Sequence, residues 1–146
     1  MQNTTSTVSA KSEKTRNRLL KTTESIFATR GFSGLTLREV AQRSQTNLAS
    51  AHYYFGSKEA MVLEMLQKRV KPINQRRIQY LAKAREKSAG KPLSTKDILR
   101  ALILPIGEEI SNSTHTRQTL AQLVARTFTE PAKFIQTMHR KFFGEL

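Results

Sequence analysis

The 146-residue sequence contains no cysteine and no tryptophan, and its 11 acidic residues are far outnumbered by 25 lysines and arginines. Without cysteine, disulfides and thiolate metal sites are excluded, which fits the reducing cytoplasm. The apolar run from Ala101 to Leu104 ends at Pro105 and is too short to cross a bilayer. The N-terminus lacks the apolar core of a signal peptide. We therefore expect a cytoplasmic protein without a membrane span.

Positive charge is concentrated in the first two thirds of the chain. Residues 11–58 contain nine basic and three acidic side chains, and residues 59–91 contain the same numbers. Residues 92–146 contain seven basic and five acidic side chains, and the whole chain has a formal charge of +14. Such a field attracts phosphate-rich polymers or anionic membranes. On charge alone, a solvated basic surface without a partner remains an alternative.

The hydrophobic pattern predicts an all-α protein. Apolar residues recur at helical spacing, and no segment alternates as a β-strand does. We expect a disordered polar tail over residues 1–12 and a first helix from about Ser12 to Arg30. Gly31 ends that helix, because glycine adopts the left-handed conformation without a Cβ penalty.

Two short helices follow. Thr36 and Glu39 form a capping-box pattern that predicts a helix from Leu37 to about Ser44. Asn47 is a favourable N-cap for the next helix, which ends at Phe55.

The second half of the chain predicts longer helices. Ser57 caps a helix that Pro72 should kink or break, with a continuation to Lys87. The sequence "SAGKP" is a loop, and Pro105 predicts a bend in the helix that follows.

The two short helices predict a helix-turn-helix over about Thr36 to Phe55, because a tight turn joins them within a basic segment. A helix of this length spans about 11–12 Å at 1.5 Å per residue. The major groove of B-DNA is about 12 Å wide, so such a helix fits into it.

Three blocks in order, "TRNRLLKTTESIFATRGF", "LTLREVAQRS" and "YYFGSKEAM", resemble the TetR family of bacterial transcriptional regulators. The resemblance covers about Thr15 to Leu66. It implies an N-terminal three-helix DNA-binding domain over residues 13–56 and a helical effector-binding and dimerisation domain over residues 57–146. The stretches "NLASAHYYFGSKEA", "KPINQRR" and "FTEPAKF" look most like the branch of fatty-acid-responsive repressors.

The resemblance implies DNA contacts in and around the helix-turn-helix. Phosphate contacts fall at Thr36 and Lys58, each beside a helix N-terminus, and at the hydroxyl of either Tyr53 or Tyr54. The ring of the other tyrosine packs against the core. Base-edge contacts fall on the second short helix. Each of these residues also has an alternative role without DNA. Thr36 would be only an N-cap, and Lys58 and His52 would be only exposed to solvent. Both tyrosines would only pack against the core. The candidate residues are Thr36, Asn47, Leu48, Ala49, Ser50, His52, Tyr53, Tyr54 and Lys58.

Several positions depart from the family pattern. Gln45 stands where glycine usually permits positive φ, and it should therefore carry some strain. Thr46 replaces a buried valine, and Ala51 replaces a larger aliphatic residue. His52 stands where tyrosine or asparagine is common. These changes affect the operator sequence and the stability of the motif.

The resemblance also implies a homodimer on a palindromic double-stranded DNA operator, with repression relieved by a small apolar effector such as an acyl compound. TetR-like chains are usually longer, and their last two helices form the dimer interface. We therefore expect either a truncated chain or an abbreviated dimer surface, with the apolar side of Phe134 to Phe143 exposed. Effector-pocket candidates, which are alternatively core residues, are Met61, Met65, Phe128, Phe134 and Met138.

Enzyme motifs are missing from the sequence, which predicts no enzyme, cofactor or metal site. His52, His115 and His139 are not at metal-ligand spacing, and Glu108-Glu109 is expected to be a solvated pair. The alternative function is a basic helical protein that binds anionic membrane surfaces, or nucleic acid non-specifically, without effector control.

Overall fold

The computed structural model describes residues 3–111, 119, 121–123, 125–126, 129–130 and 132–143. These residues are helical or lie in short turns and loops, which confirms the all-α class. Residues 119, 121–123 and 125–126 are helical and precede the last helix. The helices are α1 (Asn3–Arg30), α2 (Leu37–Arg43), α3 (Leu48–Phe55), α4 (Lys58–Ser88), α5 (Thr95–Ser111) and α6 (Ala132–Phe143).

The first helix begins at Asn3, so residues 3–12 are helical and the predicted disordered tail is wrong there. Neither glycine nor proline occurs before Gly31, so no residue type breaks the helix. The predicted end is confirmed. Gly31 adopts a φ of 70°, and its N–H donates to the carbonyl of Phe27 at 2.8 Å.

The predicted N-caps form, although the capping box is only half made. The hydroxyl of Thr36 accepts from the amide of Glu39 at 3.2 Å. The Glu39 carboxylate does not return to Thr36. It pairs with Arg30 at 2.5 Å and with Arg43 at 3.0 Å, because two guanidinium groups lie within its reach. The hydrogen bond from Arg30 is the main reason why the pKa of Glu39 lies below its ordinary value.

Of the kink or break predicted at Pro72, the break is wrong, because α4 continues through this residue to Ser88. Leu66 before the proline and Ile73 after it are both buried. Their packing on the two sides holds the helix together despite the lost backbone hydrogen bond. Similarly, α5 continues through the buried Pro105.

A single hydrophobic core joins the first four helices to the C-terminal part of the chain. Phe27 is completely buried, and Val40, Ala41 and Phe55 pack into the same cluster. Leu123, Phe134 and Met138 extend this cluster. The helix-turn-helix segment and the described part of the later helices therefore share one core.

Polar contacts tie α5 to the second half of α4. Arg76 and Glu109 form an ion pair at 2.9 Å, and the hydroxyl of Tyr80 donates to Glu108. The acidic pair on α5 is thus engaged with α4 rather than simply solvated. Arg77 adds a bond to the carbonyl of Leu102 at 3.2 Å.

Among the side chains that the structure describes, most of the large exposed apolar ones lie on α5. Phe134 and Met138 are buried, so the prediction of an exposed apolar side on the last helix is wrong for these residues. Their side chains fill the core beside Phe27, which a sequence pattern alone does not reveal. The exposed apolar side chains of α5 are Ile98, Leu99, Leu102, Ile103 and Leu104.

Candidate nucleic-acid interface

Helix α3 presents one solvent-facing side made of Ala49, His52 and Tyr53. These positions are three and four residues apart, so they share one helix face. Tyr53 is 84% exposed, which is unusual for so large an aromatic side chain. An uncovered aromatic residue on a short helix within a basic segment is available to a partner in solution.

The opposite side of α3 is fixed in the core. Ala51 is completely buried and Phe55 is 8% exposed, whereas Leu48 is only half-buried. Ala51 is therefore packed more deeply in the core than Leu48. Its small side chain lets α3 lie close to the neighbouring helices.

The two tyrosines lie in different surroundings. The hydroxyl of Tyr54 lies 3.0 Å from that of Ser12 on α1, and its ring is half-buried against the core. The Tyr53 ring contacts Tyr54 edge-on at 5.3 Å and remains in solvent. Tyr54 thus has the packing position, and Tyr53 is placed for an external contact.

The N-terminal end of α3 is held by its cap. The side-chain oxygen of Asn47 accepts from the amide of Ser50 at 2.6 Å, so this oxygen already has a partner. Asn47 itself is exposed and Ser50 is half-buried. At the other end, the ring nitrogen Nδ1 of His52 lies 3.3 Å from the carbonyl of Gly56.

The turn between α2 and α3 has the predicted strain at Gln45, which adopts a φ of 53°. Its carbonyl lies 3.5 Å from the guanidinium of Arg18 on α1. The hydroxyl of Thr46 lies 3.0 Å from that of Ser44, which is buried. The hydroxyl of Thr46, which a valine would lack, therefore has a hydrogen-bond partner in this buried serine.

Lys58 has an internal partner that the sequence did not predict. Its ammonium donates to the carbonyl of Phe32 at 2.9 Å and lies 4.1 Å from the centre of that ring. Thr36 is exposed, and its hydroxyl accepts the capping hydrogen bond from Glu39. Both predicted phosphate contacts therefore lie on groups that also stabilise the protein itself.

Helix α1 adds exposed positive charge beside the helix-turn-helix. Lys11, Lys14, Arg18 and Lys21 are all exposed. Arg16 differs, because its guanidinium pairs with Glu64 of α4 at 2.7 Å and lies 5.7 Å from the centre of the Phe55 ring. The exposed bases can meet phosphates, whereas Arg16 holds helices together.

The candidate effector residues lie in the core as far as the structure describes them. Met61 and Met65 on α4 are at most 2% exposed, and Phe134 and Met138 on α6 are at most 5% exposed. Phe128 lies outside the described residues. Met65 also lines an open groove of about 310 Å³ between α1 and α4, whose other lining residues are mostly polar or charged.

Comparison with known proteins agrees with this geometry. Residues 19–65 match the family of bacterial regulatory proteins, tetR family. The match spans α2, α3 and the adjoining parts of α1 and α4. The helix-turn-helix segment is therefore TetR-like, as the resemblance implied, and the family's members are DNA-binding regulators.

The chain is similar to an HTH-type transcriptional repressor, NicS, of Pseudomonas putida, with 31% identity over 55 residues. That segment makes up 38% of this chain and 26% of the repressor. Among solved structures, HlyIIR, a hemolysin II transcriptional regulator, is 21% identical, with a TM-score of 0.36. A HlyIIR mutant with residues 170–185 substituted by alanine is 24% identical, with a TM-score of 0.39. The chain aligns over 89% of its own length with both, and over 75% and 76% of theirs.

Two further observations on the described residues concern membrane spans and metal sites. No helix among them is both long and apolar enough to cross a membrane. In the same part of the chain, histidines and carboxylates form no group of three or more that could hold a metal ion.

The residues that attach the helix-turn-helix to the rest of the molecule are not apparent from the sequence pattern. Ser12 is 42 residues from its partner Tyr54, and Phe32 is 98 residues from its partner Glu130. Local periodicity carries no signal for such pairs. The Gly31-Phe32 pair at the end of the first family block indicates a turn, but it does not indicate which residues bind that turn.

Proposed function

We propose that this chain is a transcriptional repressor that binds a palindromic DNA operator as a homodimer. The observation that carries the proposal is the solvent-facing side of α3, with Tyr53 uncovered and the opposite side fixed by Ala51 and Phe55. A rigid helix with one free face suits the major groove. Family similarity over residues 19–65 supports the same role.

Base-edge contacts are assigned to the α3 residues from Asn47 to His52, including Leu48. Ala49 can meet a thymine methyl group, and the hydroxyl of Ser50 can donate or accept. Arginine is missing from α3, so direct recognition of guanine is limited. Affinity then depends strongly on phosphate contacts.

Phosphate contacts are assigned to Tyr53, Thr36 and Lys58, with the exposed bases Lys14 and Arg18 of α1 beside them. The N-termini of α2 and α4 offer backbone N–H groups that suit an anion. Lys58 retains two ammonium protons beyond the one given to Phe32, so one lysine can serve both partners.

Release from the operator is assigned to a small apolar effector, of the kind that an acyl chain represents. The buried side chains Met61, Met65, Phe134 and Met138 belong to the same core as the helix-turn-helix. A ligand that displaced them would alter the packing of α4 against α1. A change of a few hundred-fold in operator affinity needs about 3–4 kcal/mol of differential binding, at about 1.4 kcal/mol per tenfold.

Selection from random duplex DNA with the full chain tests the proposal. We expect enrichment of a palindromic sequence, because a symmetric dimer presents two equal α3 helices. Ser50→Ala and His52→Ala should change the enriched bases, while Gln75→Ala, an exposed control on α4, should not.

Two results of that selection would contradict the proposal. Equal recovery of all sequences, together with binding to anionic vesicles, would support the alternative of a non-specific basic surface. A loss of affinity in Ser50→Ala and His52→Ala without any altered preference would remove these residues from base recognition.

A further inference from the structure

The C-terminal end of α1 is capped by side chains from much later in the sequence. Arg126 donates a hydrogen bond to the carbonyl of Thr29, one of the last carbonyls of α1. Glu130 accepts a hydrogen bond from the backbone N–H of Phe32 at 3.0 Å. A helix end leaves several carbonyls without partners and favours a nearby cation, so Arg126 satisfies both needs.

Glu130 is unusually buried for a carboxylate, with 9% of its surface exposed. Its place is made by the absence of a side chain at Gly31. A Cβ atom built there would lie 2.2 Å from the Oε1 atom of Glu130. Gly31 is therefore needed twice, for its φ of 70° and for the room that it leaves to the carboxylate.

Phe32 connects three parts of the molecule. Its N–H binds Glu130, and its carbonyl accepts from Lys58 at the start of α4. Its ring stacks on that of Phe134 in α6 at 4.6 Å. We call Phe32, Lys58, Glu130 and Phe134 together the Phe32 junction. It lies in the turn that leads from α1 into α2.

We infer that Glu130 is a positioning residue for the DNA binding proposed above, on which this role depends. Glu130 anchors the turn before α2 to the C-terminal part of the chain, and it acts through Phe32 rather than through contact with DNA. The orientation of the helix-turn-helix relative to the later helices is then held at the Phe32 junction as well as through α4. Any change that moves residue 130 also moves the turn before α2.

Half-site spacing is the readout that separates positioning from simple stabilisation. In a symmetric dimer, the orientation of each helix-turn-helix fixes the distance between the two α3 helices. Glu130→Ala removes the acceptor for the Phe32 N–H, whereas Glu130→Gln keeps an oxygen that can accept it. We expect Glu130→Ala to bind the selected operator at least tenfold more weakly and to lose the parent's preference for one spacing.

The measurement is fluorescence anisotropy with the full chain on the selected operator, on versions with one base pair inserted or deleted at the centre, and on a scrambled duplex. Glu130→Gln should restore the spacing preference, and binding to the scrambled duplex should stay unchanged in both variants. An unaltered spacing preference in Glu130→Ala would overturn the inference. If the parent selected no operator, the proposed function itself would fail.

A second measurement tests the packing of Glu130 on Gly31 without DNA. Gly56 has a φ of 72°, close to that of Gly31, but a Cβ atom there would meet nothing within 4 Å. Gly56→Ala therefore measures the cost of a side chain at positive φ without a close contact. We expect Gly31→Ala to lower Tm more than Gly56→Ala does, and this excess to disappear in the Glu130→Ala background.

An excess that persisted in that background would contradict the close contact between Gly31 and Glu130. For variants that are too unstable for a thermal unfolding measurement, the rate of hydrogen exchange at the Phe32 amide can be measured instead. It should be faster in Glu130→Ala than in Glu130→Gln, and equal rates in the two variants would overturn the inference.

Discussion

Tyr53 and Tyr54 are neighbours in sequence, yet one ring is in solvent and the other lies against the core. An α-helix turns by about 100° per residue, since it has 3.6 residues per turn, so adjacent side chains face different directions. Tyr54 uses its hydroxyl on Ser12, while Tyr53 is uncovered. The family resemblance implied one exposed and one packed tyrosine, and the orientation of α3 in the structure shows that Tyr53 is the exposed one.

Removal of one hydroxyl at a time should separate the two roles. We expect Tyr53→Phe to weaken operator binding several-fold at unchanged Tm, because it removes the hydroxyl proposed to contact a phosphate. We expect Tyr54→Phe to lower the free energy of unfolding by about 0.5–1.5 kcal/mol, through loss of the bond to Ser12. Anisotropy and chemical denaturation measure the two effects. The same outcome for both variants would refute the assignment.

At the scale of elements, helix caps are the features that the sequence predicts best. A cap is formed by residues within one turn, so its chemistry is written locally. Asn47 and Ser57 both accept from the amide three residues later, as predicted. Glu39 departs from the pattern because its partners Arg30 and Arg43 lie outside the capping box.

Asn47→Ala should destabilise α3 at its start. We expect a loss of about 0.5–2 kcal/mol in the free energy of unfolding, the usual cost of an N-cap. Ser57→Ala removes the cap of α4 and is a matched control outside the proposed base-contacting surface. Both variants should lose stability in denaturant titration, but only Asn47→Ala should change operator preference. A change of preference in both would argue against a special role for Asn47.

Long helices show the limit of local rules. Pro72 lowers the stability of α4 as a helix, yet α4 continues because buried residues on both sides of the proline pack against other elements. The start of α1 shows the opposite case. The polar residues 3–12 have no apolar pattern, but they continue a helix that no residue interrupts.

At the scale of the whole molecule, positive charge is spread over both α1 and α4, so the long-range field alone does not identify the contact surface. The salt dependence of binding does identify which lysines and arginines contact phosphate. Each cation in contact with a phosphate contributes about one unit to the slope of log K against log salt concentration.

Lys58→Ala should weaken binding to all duplexes alike and reduce the salt slope by about one. Lys87→Ala removes the same charge at the far end of α4 and should leave the slope unchanged. Anisotropy titrations at several salt concentrations measure both variants. A lower Tm with an unchanged slope in Lys58→Ala would restrict this lysine to its contact with Phe32.

The sequence by itself determined the helical class, the helix-turn-helix and the caps at Thr36 and Asn47. Each depends on residues within a few positions of one another, where spacing and backbone preference suffice. Family resemblance identified the TetR-like segment, and with it the strained position Gln45, because its blocks lie within α1 to α4.

Only the tertiary structure decided which tyrosine is exposed, that Met138 belongs to the core and that Glu130 holds the turn at Phe32. These facts join residues up to 98 positions apart. Such a contact depends on how whole helices pack and on the room left at Gly31, and neither is expressed in local periodicity.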